Sequence, residues 1–301
     1  MKDFFTYLTA GEEDKNWGLY LNVAGKANIA PKTVYPSLDH PTGYYFHWSR
    51  GRVLQEYQIN YITEGNGVLE NEFGKFPIRP GSLLIVRPGD WHRYRPLKKV
   101  GWVEHYIGFE GELAEKLLNQ SVFAAKPSVI HCGIREELLD TYYKIFDLAQ
   151  KEEPGFQQIC SGLVIKLLGY LITFQKKRNL SGKHIEKVIQ KARFHMRENL
   201  EDKVDLQAFA EEHRVGYAYL RKMFKNYTGV SPHQYHLELK IMRAKELLLT
   251  TQKSIKEIGY ELGFESVHYF SRLFKKKTGF KPTEIRENTL LKPNDLDHDE
   301  E

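Results

Sequence analysis

Residues 206–232 read LQAFAEEHRVGYAYLRKMFKNYTGVSP, and residues 255–282 read IKEIGYELGFESVHYFSRLFKKKTGFKP. They are one helical unit written twice. At an offset of 50, Tyr219, Phe224, Lys225, Thr228, Gly229 and Pro232 recur as Tyr269, Phe274, Lys275, Thr278, Gly279 and Pro282. Further upstream the offset is 49, pairing Leu206 with Ile255 and Ala210 with Gly259, so the second copy has one more residue in its turn. Two copies are too few for a solenoid. Leu206, Phe209 and Ala210 share one face of a short helix, and Tyr219, Leu220, Met223 and Phe224 share one face of the next. The two helices of each unit therefore pack through those faces about a short turn. Ala210 and Gly259 are small enough to let the helices approach closely.

The opposite face of each second helix is left free and basic. It carries Ala218, Arg221, Lys222 and Lys225 in the first copy, and Val267, His268, Ser271, Arg272, Lys275 and Lys276 in the second. Arg and Lys donate to guanine edges and phosphates, so such a helix after a tight turn suits a major groove. At these residues the chain resembles the DNA-binding region of AraC-family transcription regulators, which have two helix-turn-helix units joined by a long helix. The resemblance spans about 100 residues and includes the Phe-Lys-x-x-x-Thr-Gly-x-x-Pro ending of both copies. Arg221, Lys222, Val267, His268, Ser271 and Arg272 are the expected base readers; Lys225, Lys275 and Lys276 are placed to hold phosphates. Two residues depart from the family pattern. Arg214 stands where a turn glycine is usual, and Gly216 where a serine precedes the recognition helix.

Charge agrees with this division. The net charge is +5, but residues 183–287 hold 21 Lys and Arg against 14 Asp and Glu, while residues 1–182 are nearly balanced. A polyanion is thus expected to meet the C-terminal part alone. The 301 residues suit two domains. With no uninterrupted run of 18 apolar residues and no leader pattern, the expectation is a soluble, cytoplasmic protein without a membrane partner. Cys132 and Cys160 are too few for a disulfide framework and read as inert core thiols.

Residues 1–110 read as short strands (WGLYLNVAG, YYFHWSR, YQINYITEG, GVLEN, FPIRP, SLLIVRP, HRYRPL, GWVEHYIGFEG) punctuated by Gly, Pro, Asn and Asp. That rhythm suggests a small barrel or sandwich. Residues 57–109 resemble the cupin-like ligand-binding domain of the same family, and Glu64-Gly65-Asn66-Gly67 reads as a hairpin turn. Residues 111–177 read as helical. EELLDTYYKIFDLAQ is amphipathic, and FQQICSGLVIKLLGYLITFQKK is apolar almost all round, which calls for burial on several sides, in this family commonly against a second subunit. Residues 178–183 read as a linker, 184–287 as the double helix-turn-helix domain and 288–301 as a disordered acidic tail. Asp205, Ser231-Pro232 and Ser254 with Glu257 read as N-caps, and the helix opened at Pro232 runs to about Thr250.

The fold class expected is a multidomain α+β chain: a cupin-like β-barrel with a helical dimerisation segment, then an all-α domain with two helix-turn-helix units on a long helix. The function expected is an effector-responsive, sequence-specific DNA-binding transcription regulator acting as a homodimer. Each monomer would enter two adjacent major grooves, with RNA polymerase a further possible partner. Trp17, Tyr20, Glu64, His92, Tyr94, Glu104 and Tyr106 are the effector candidates. Aromatic rings would stack on a sugar or similar small polar molecule, and carboxylates would accept from its hydroxyls. No catalytic residue, metal or cofactor is expected, since the strand Glu56-Tyr57-Gln58-Ile59-Asn60 lacks the histidine pair of metal-using cupins. Two alternatives remain open: a barrel that serves only as a dimerisation platform, and a cupin metalloenzyme, with His47, Glu104 and His105 as ligands, fused to a DNA-binding domain.

Overall fold

The computed structural model describes residues 3–36, 46–119, 128–179, 183–202 and 204–290. Residues 1–175 and 176–301 form two compact units. The expected tail lies outside the described residues from 291 on, as do 180–182 of the linker.

Strands β1 (Phe4–Tyr7), β2 (Tyr20–Ile29), β4 (Tyr57–Gly65), β7 (Ser82–Val86), β9 (Trp102–Glu110) and β10 (Val129–His131) make a six-stranded sheet in the order β1-β2-β9-β4-β7-β10. Strands β3 (Arg52–Val53), β5 (Gly67–Asn71), β6 (Gly74–Ile78) and β8 (Trp91–Pro96) make a second sheet, β3-β8-β5-β6. Every pairing is antiparallel. Leu54, Ile62, Leu69, Ile78, Leu84, Val86, Tyr94 and Trp102 fill one core cluster drawn from both sheets. The other face of the larger sheet (Leu21, Ile59, Tyr61, Ile85, Ile107, Phe109) buries against α2 (Glu112–Leu118), α3 (Glu136–Lys151) and α4 (Phe156–Asn179); α1 (Glu12–Asn16) is a single surface turn.

Three readings of the sequence need correction here. Glu64-Gly65-Asn66-Gly67 joins β4 to β5, but these strands lie in different sheets; the paired hairpin is β5–β6. Residues 46–50, expected to be a strand, form a turn. The sheet also extends beyond residue 110, because β10 pairs with β7 within the stretch read as helical.

α4 has the length and hydropathy of a membrane span over Phe156–Lys176. Its seat explains one face of that composition, because Cys160, Val164, Leu167, Leu168 and Leu171 are buried in the core against the sheet; burial on several sides, expected from the sequence, is not seen, as 39% of the span is buried. Gln157 reaches further, accepting from the Leu21 N–H (2.9 Å) and donating to the Leu21 carbonyl (3.1 Å). It thereby satisfies the backbone where β2 shifts register against β9, a place a plain ladder would leave unpaired.

The regular elements among the described residues of the C-terminal unit are helices: α5 (Lys183–Glu198), α6 (Leu206–Glu212), α7 (Tyr217–Thr228), α8 (Pro232–Thr250), α9 (Ile255–Glu261), α10 (Val267–Thr278) and α11 (Pro282–Leu290). It has two cores. Ile185, Val188, Ile189, Ala192 and Met196 of α5 pack with Phe209, Ala210, Leu220, Met223 and Phe224; Ile241, Ala244, Leu247 and Leu248 of α8 pack with Ile258, Leu262, Phe264, Phe270 and Phe274. The expected N-caps are formed: Asp205 accepts from the N–H groups of Gln207 and Ala208, and Ser231 and Ser254 close capping boxes with Gln234 and Glu257.

Candidate nucleic-acid interface and ligand cavity

In both repeat units the first helix ends in a residue with positive φ, Arg214 at 54° and Gly263 at 66°. The next N–H then bonds back over the helix end: Val215 to the Ala210 carbonyl (2.9 Å) and Phe264 to the Gly259 carbonyl (3.0 Å). This left-handed cap satisfies the last carbonyls and turns the chain into the second helix. The helices are in close contact, since a Cβ on Gly259 would stand 3.3 Å from the Phe270 ring. α7 and α10 then present Ala218, Arg221, Lys222 and Lys225, and His268, Arg272, Lys275 and Lys276, all exposed, with Val267 and Ser271 half-buried. Tyr219 and Tyr269, expected on the packing faces, are 39% and 44% exposed, so each flanks the contact instead of filling it. α8 has 19 residues, or about 28 Å at 1.5 Å per residue, and carries one unit at each end.

The barrel cavity is lined by Tyr35, Phe46, Arg52, Gln58, Glu104 and Tyr106 among others, with Tyr94 in its wall. Glu104 and Tyr106 point the same way because they are two apart on β9. Tyr106 lies over Gly25 of β2, where a Cβ would come within 2.5 Å of its ring; the glycine makes room for it. Arg52, which no motif or spacing singles out, is central. Its guanidinium donates to the Tyr94 hydroxyl (2.7 Å) and to His92 Nε2 (3.1 Å), and lies over the Phe46 and Tyr94 rings. Asn60 links the same group inward, its amide nitrogen 3.0 Å from the Tyr94 hydroxyl and 2.6 Å from Glu104 Oε1. Burial pushes the Glu104 carboxyl up to about 7 although Asn60 and Arg52 pull it down. Burial and the Arg52 charge push His92 down to about 4, so near neutral pH it is the uncharged acceptor that the Arg52 hydrogen bond requires.

Of the seven effector candidates, Tyr94, Glu104 and Tyr106 meet at this cavity and His92 stands behind Arg52. The other three lie elsewhere. Trp17 is 58% exposed at the end of α1, and Tyr20 donates to Glu110 (3.2 Å). Glu64 is exposed because β4 shifts register between Ile62 and Glu64, so it does not share the inward face of Asn60 and Ile62. Nor do His47, Glu104 and His105 converge as metal ligands: His105 faces α3, its Nε2 3.3 Å from the Tyr143 hydroxyl, on the opposite face of β9 from Glu104. Among the described residues no three His, Cys, Asp or Glu side chains are grouped to hold a metal ion. Cys132 and Cys160 are buried, and burial raises their thiols to about 11 and about 12.

The two halves match two described families. Residues 33–168 match the AraC-like ligand binding domain, and residues 209–288 match a helix-turn-helix domain. The chain is 28% identical over 253 residues to the arabinose operon regulatory protein of Escherichia coli K12, covering 81% of this chain and 84% of that one. It is 26% identical over 267 residues to the MmsAB operon regulatory protein of Pseudomonas aeruginosa, covering 85% and 83%. Among solved structures, the C-terminal domain of AraT, a response regulator from Geobacillus stearothermophilus, is 30% identical, with 37% of this chain and 93% of that one covered and a TM-score of 0.34. The matched families are regulatory and not catalytic. With a ligand-binding domain ahead of paired helix-turn-helix units, the chain belongs to the AraC/XylS family of DNA-binding transcription regulators.

Proposed function

We propose that this regulator senses a neutral polyhydroxylated ligand, a sugar or a close relative, in the barrel cavity, and reads two adjacent major grooves as a homodimer in the cytoplasm. The observation that carries the sensing role is the grouping of Arg52, Gln58 and Glu104 under the rings of Tyr35, Phe46, Tyr94 and Tyr106. It combines donors, acceptors and stacking faces in one enclosure. The arabinose operon regulatory protein, one of the relatives, is named for a sugar operon. The cavity holds about 40 Å³, room for a few waters, so ligand entry has to displace Arg52 from Tyr94 or shift the wall at Tyr35 and Phe46. On the DNA side, Arg221, Lys222, Val267, His268, Ser271 and Arg272 read bases, and Lys225, Lys275 and Lys276 hold phosphates. Dimerisation uses the outer face of α4, where Ile159 and Ile165 are 56% and 40% exposed.

Calorimetric titration of the full chain against a panel of sugars tests the sensor, with Glu104→Ala alongside. The expected result is heat from at least one sugar, lost in the variant, while DNA affinity without ligand is kept. If no sugar binds, or the variant responds like its parent, the barrel is a dimerisation platform and not a sugar sensor.

A further inference from the structure

The two helix-turn-helix units have separate cores, but a polar seam joins them at the midpoint of α8. Leu239 packs on the first core and Ile241 belongs to the second. Between them, Lys240 is only 6% exposed, a position a lysine rarely holds without acceptors for its ammonium. Its Nζ stands 3.4 Å from the Asp202 carbonyl oxygen and 5.7 Å from the centre of the Phe264 ring. Burial lowers the Lys240 pKa, and Asp202 counters this. One turn earlier, His236 Nε2 is 3.1 Å from the Asn199 carbonyl oxygen. On the other side of the seam is the turn of the second unit: a Cβ on Gly263 would lie 2.2 Å from the Glu201 carbonyl oxygen and 3.2 Å from Lys240 Nζ. Residues 199–202 follow α5 of the first unit, yet Leu200 packs on the second core.

We propose that Lys240 is a positioning residue for operator recognition: its ammonium ties the Gly263–Phe264 turn to the segment after α5, and so sets the separation and phase of α7 and α10. Apolar contact is non-directional and tolerates repacking, whereas a buried ammonium held between one backbone acceptor and one ring face favours a single arrangement. Phase matters on DNA because successive major grooves recur about every 34 Å, and a recognition helix a few ångström out of place misses its base edges. Methionine at 240 would replace the apolar stem and remove the donor, which separates filling from positioning.

The test uses the full chain in two ways. First, spin labels go on Asn226→Cys and Lys281→Cys, diluted with unlabelled protein; the native cysteines are buried and stay unlabelled. The parent should give one narrow interspin distance, and Lys240→Met a distribution about twice as wide, with Lys240→Arg restoring it. Second, a duplex enriched from a random library by the parent protein is compared with the same duplex carrying one or two base pairs inserted between its two contacted boxes. The parent should lose about tenfold or more in affinity on insertion; Lys240→Met should lose that preference and Lys240→Arg keep it. A residue that only fills the core would move the thermal midpoint and neither of these readouts. A folded Lys240→Met protein with unchanged distance width or unchanged spacing preference overturns the proposal. Should that variant fail to fold, Lys240→Gln is read by the same two criteria.

Discussion

The two helix-turn-helix units share a plan but reach it with different residues at the two positions where backbone geometry is most demanding. Both turns need a left-handed residue. The second unit supplies Gly263, while the first forces Arg214 to φ 54°, which costs a residue with a Cβ roughly 1–2 kcal/mol. Both recognition helices need an N-cap. Ser266 accepts from the Tyr269 N–H, whereas Gly216 has no side chain to do so. The second unit is therefore built from residues that favour its turn, and the first is held in the same turn by its surroundings: the Val215 backbone bond and the α5 core behind it. A repeat can keep its fold after one copy has lost its local signals, provided tertiary packing over-determines it.

The largest effect should come from imposing the first unit's chemistry on the second. Gly263→Ala brings the left-handed strain and also a Cβ that would stand 2.2 Å from the Glu201 carbonyl oxygen. A loss of about 2–4 kcal/mol is expected, measured as reduced hydrogen-exchange protection of α9 and α10 amides. Protection equal to the parent's would mean that the turn tolerates a side chain as well as Arg214 does, and the contrast between the units would fail.

On DNA the same contrast predicts unequal reading. Arg272 is exposed on α10, while the Arg221 guanidinium lies 5.6 Å from the centre of the Tyr217 ring of its own helix. Arg272→Ala should cost about 1–3 kcal/mol at one base pair of a selected duplex, and Arg221→Ala less, because part of its contact energy is already spent on Tyr217. Equal loss on selected and random duplexes would assign Arg272 to phosphate; Lys276→Ala should behave that way, lowering the salt slope by about one unit. A smaller effect of opposite sign comes from relaxing the first turn. Arg214→Gly removes strain but frees the unfolded chain, for a net gain of about 0.5–1 kcal/mol, read as increased protection of α6 and α7 amides with α9 and α10 unchanged.

The double helical unit was legible because its signals are local. Periodicity, caps and the recurring Thr-Gly-x-x-Pro ending all act within a few residues, and Asp205, Ser231 and Ser254 cap where the sequence places them. The strain at Arg214 was legible too, because the resembled family has a glycine at that turn position. The barrel was legible as a class but not in its pairing. Nothing within residues 64–67 reveals that β4 and β5 part into different sheets, since that depends on β7 and β9 pairing with the two edges of β4. The cavity was half visible: two-residue spacing put Glu104 with Tyr106 and His92 with Tyr94, but a single register shift removed Glu64. Arg52 carried no signal, because it sits on a two-residue strand and acquires its meaning only from Tyr94 and His92 across the sheet.

The smallest predicted effect tests the cap difference in isolation. Gly216 has φ −66° and ψ 134°, an extended conformation that serine adopts freely, and no atom lies within 4 Å of where its Cβ would be. Gly216→Ser should therefore place a hydroxyl where the Ser266 hydroxyl stands in the second unit, able to accept from the Tyr219 N–H. Glycine is itself a tolerable N-cap, so the gain should be only a few tenths of a kcal/mol. The reciprocal Ser266→Gly should cost about as much, and Ser266→Ala about 1 kcal/mol, because alanine neither caps nor relaxes the backbone. Hydrogen exchange at the first-turn amides of α7 and α10 measures all three variants against an internal reference, the helix left unaltered in each. Should Gly216→Ser leave α7 unchanged while Ser266→Ala loosens α10, the first recognition helix is held by its core alone and its missing cap is inconsequential. Should both shift by similar amounts in opposite directions, the cap is a local and transferable contribution, and the difference in turn strain between Arg214 and Gly263 is what distinguishes the units.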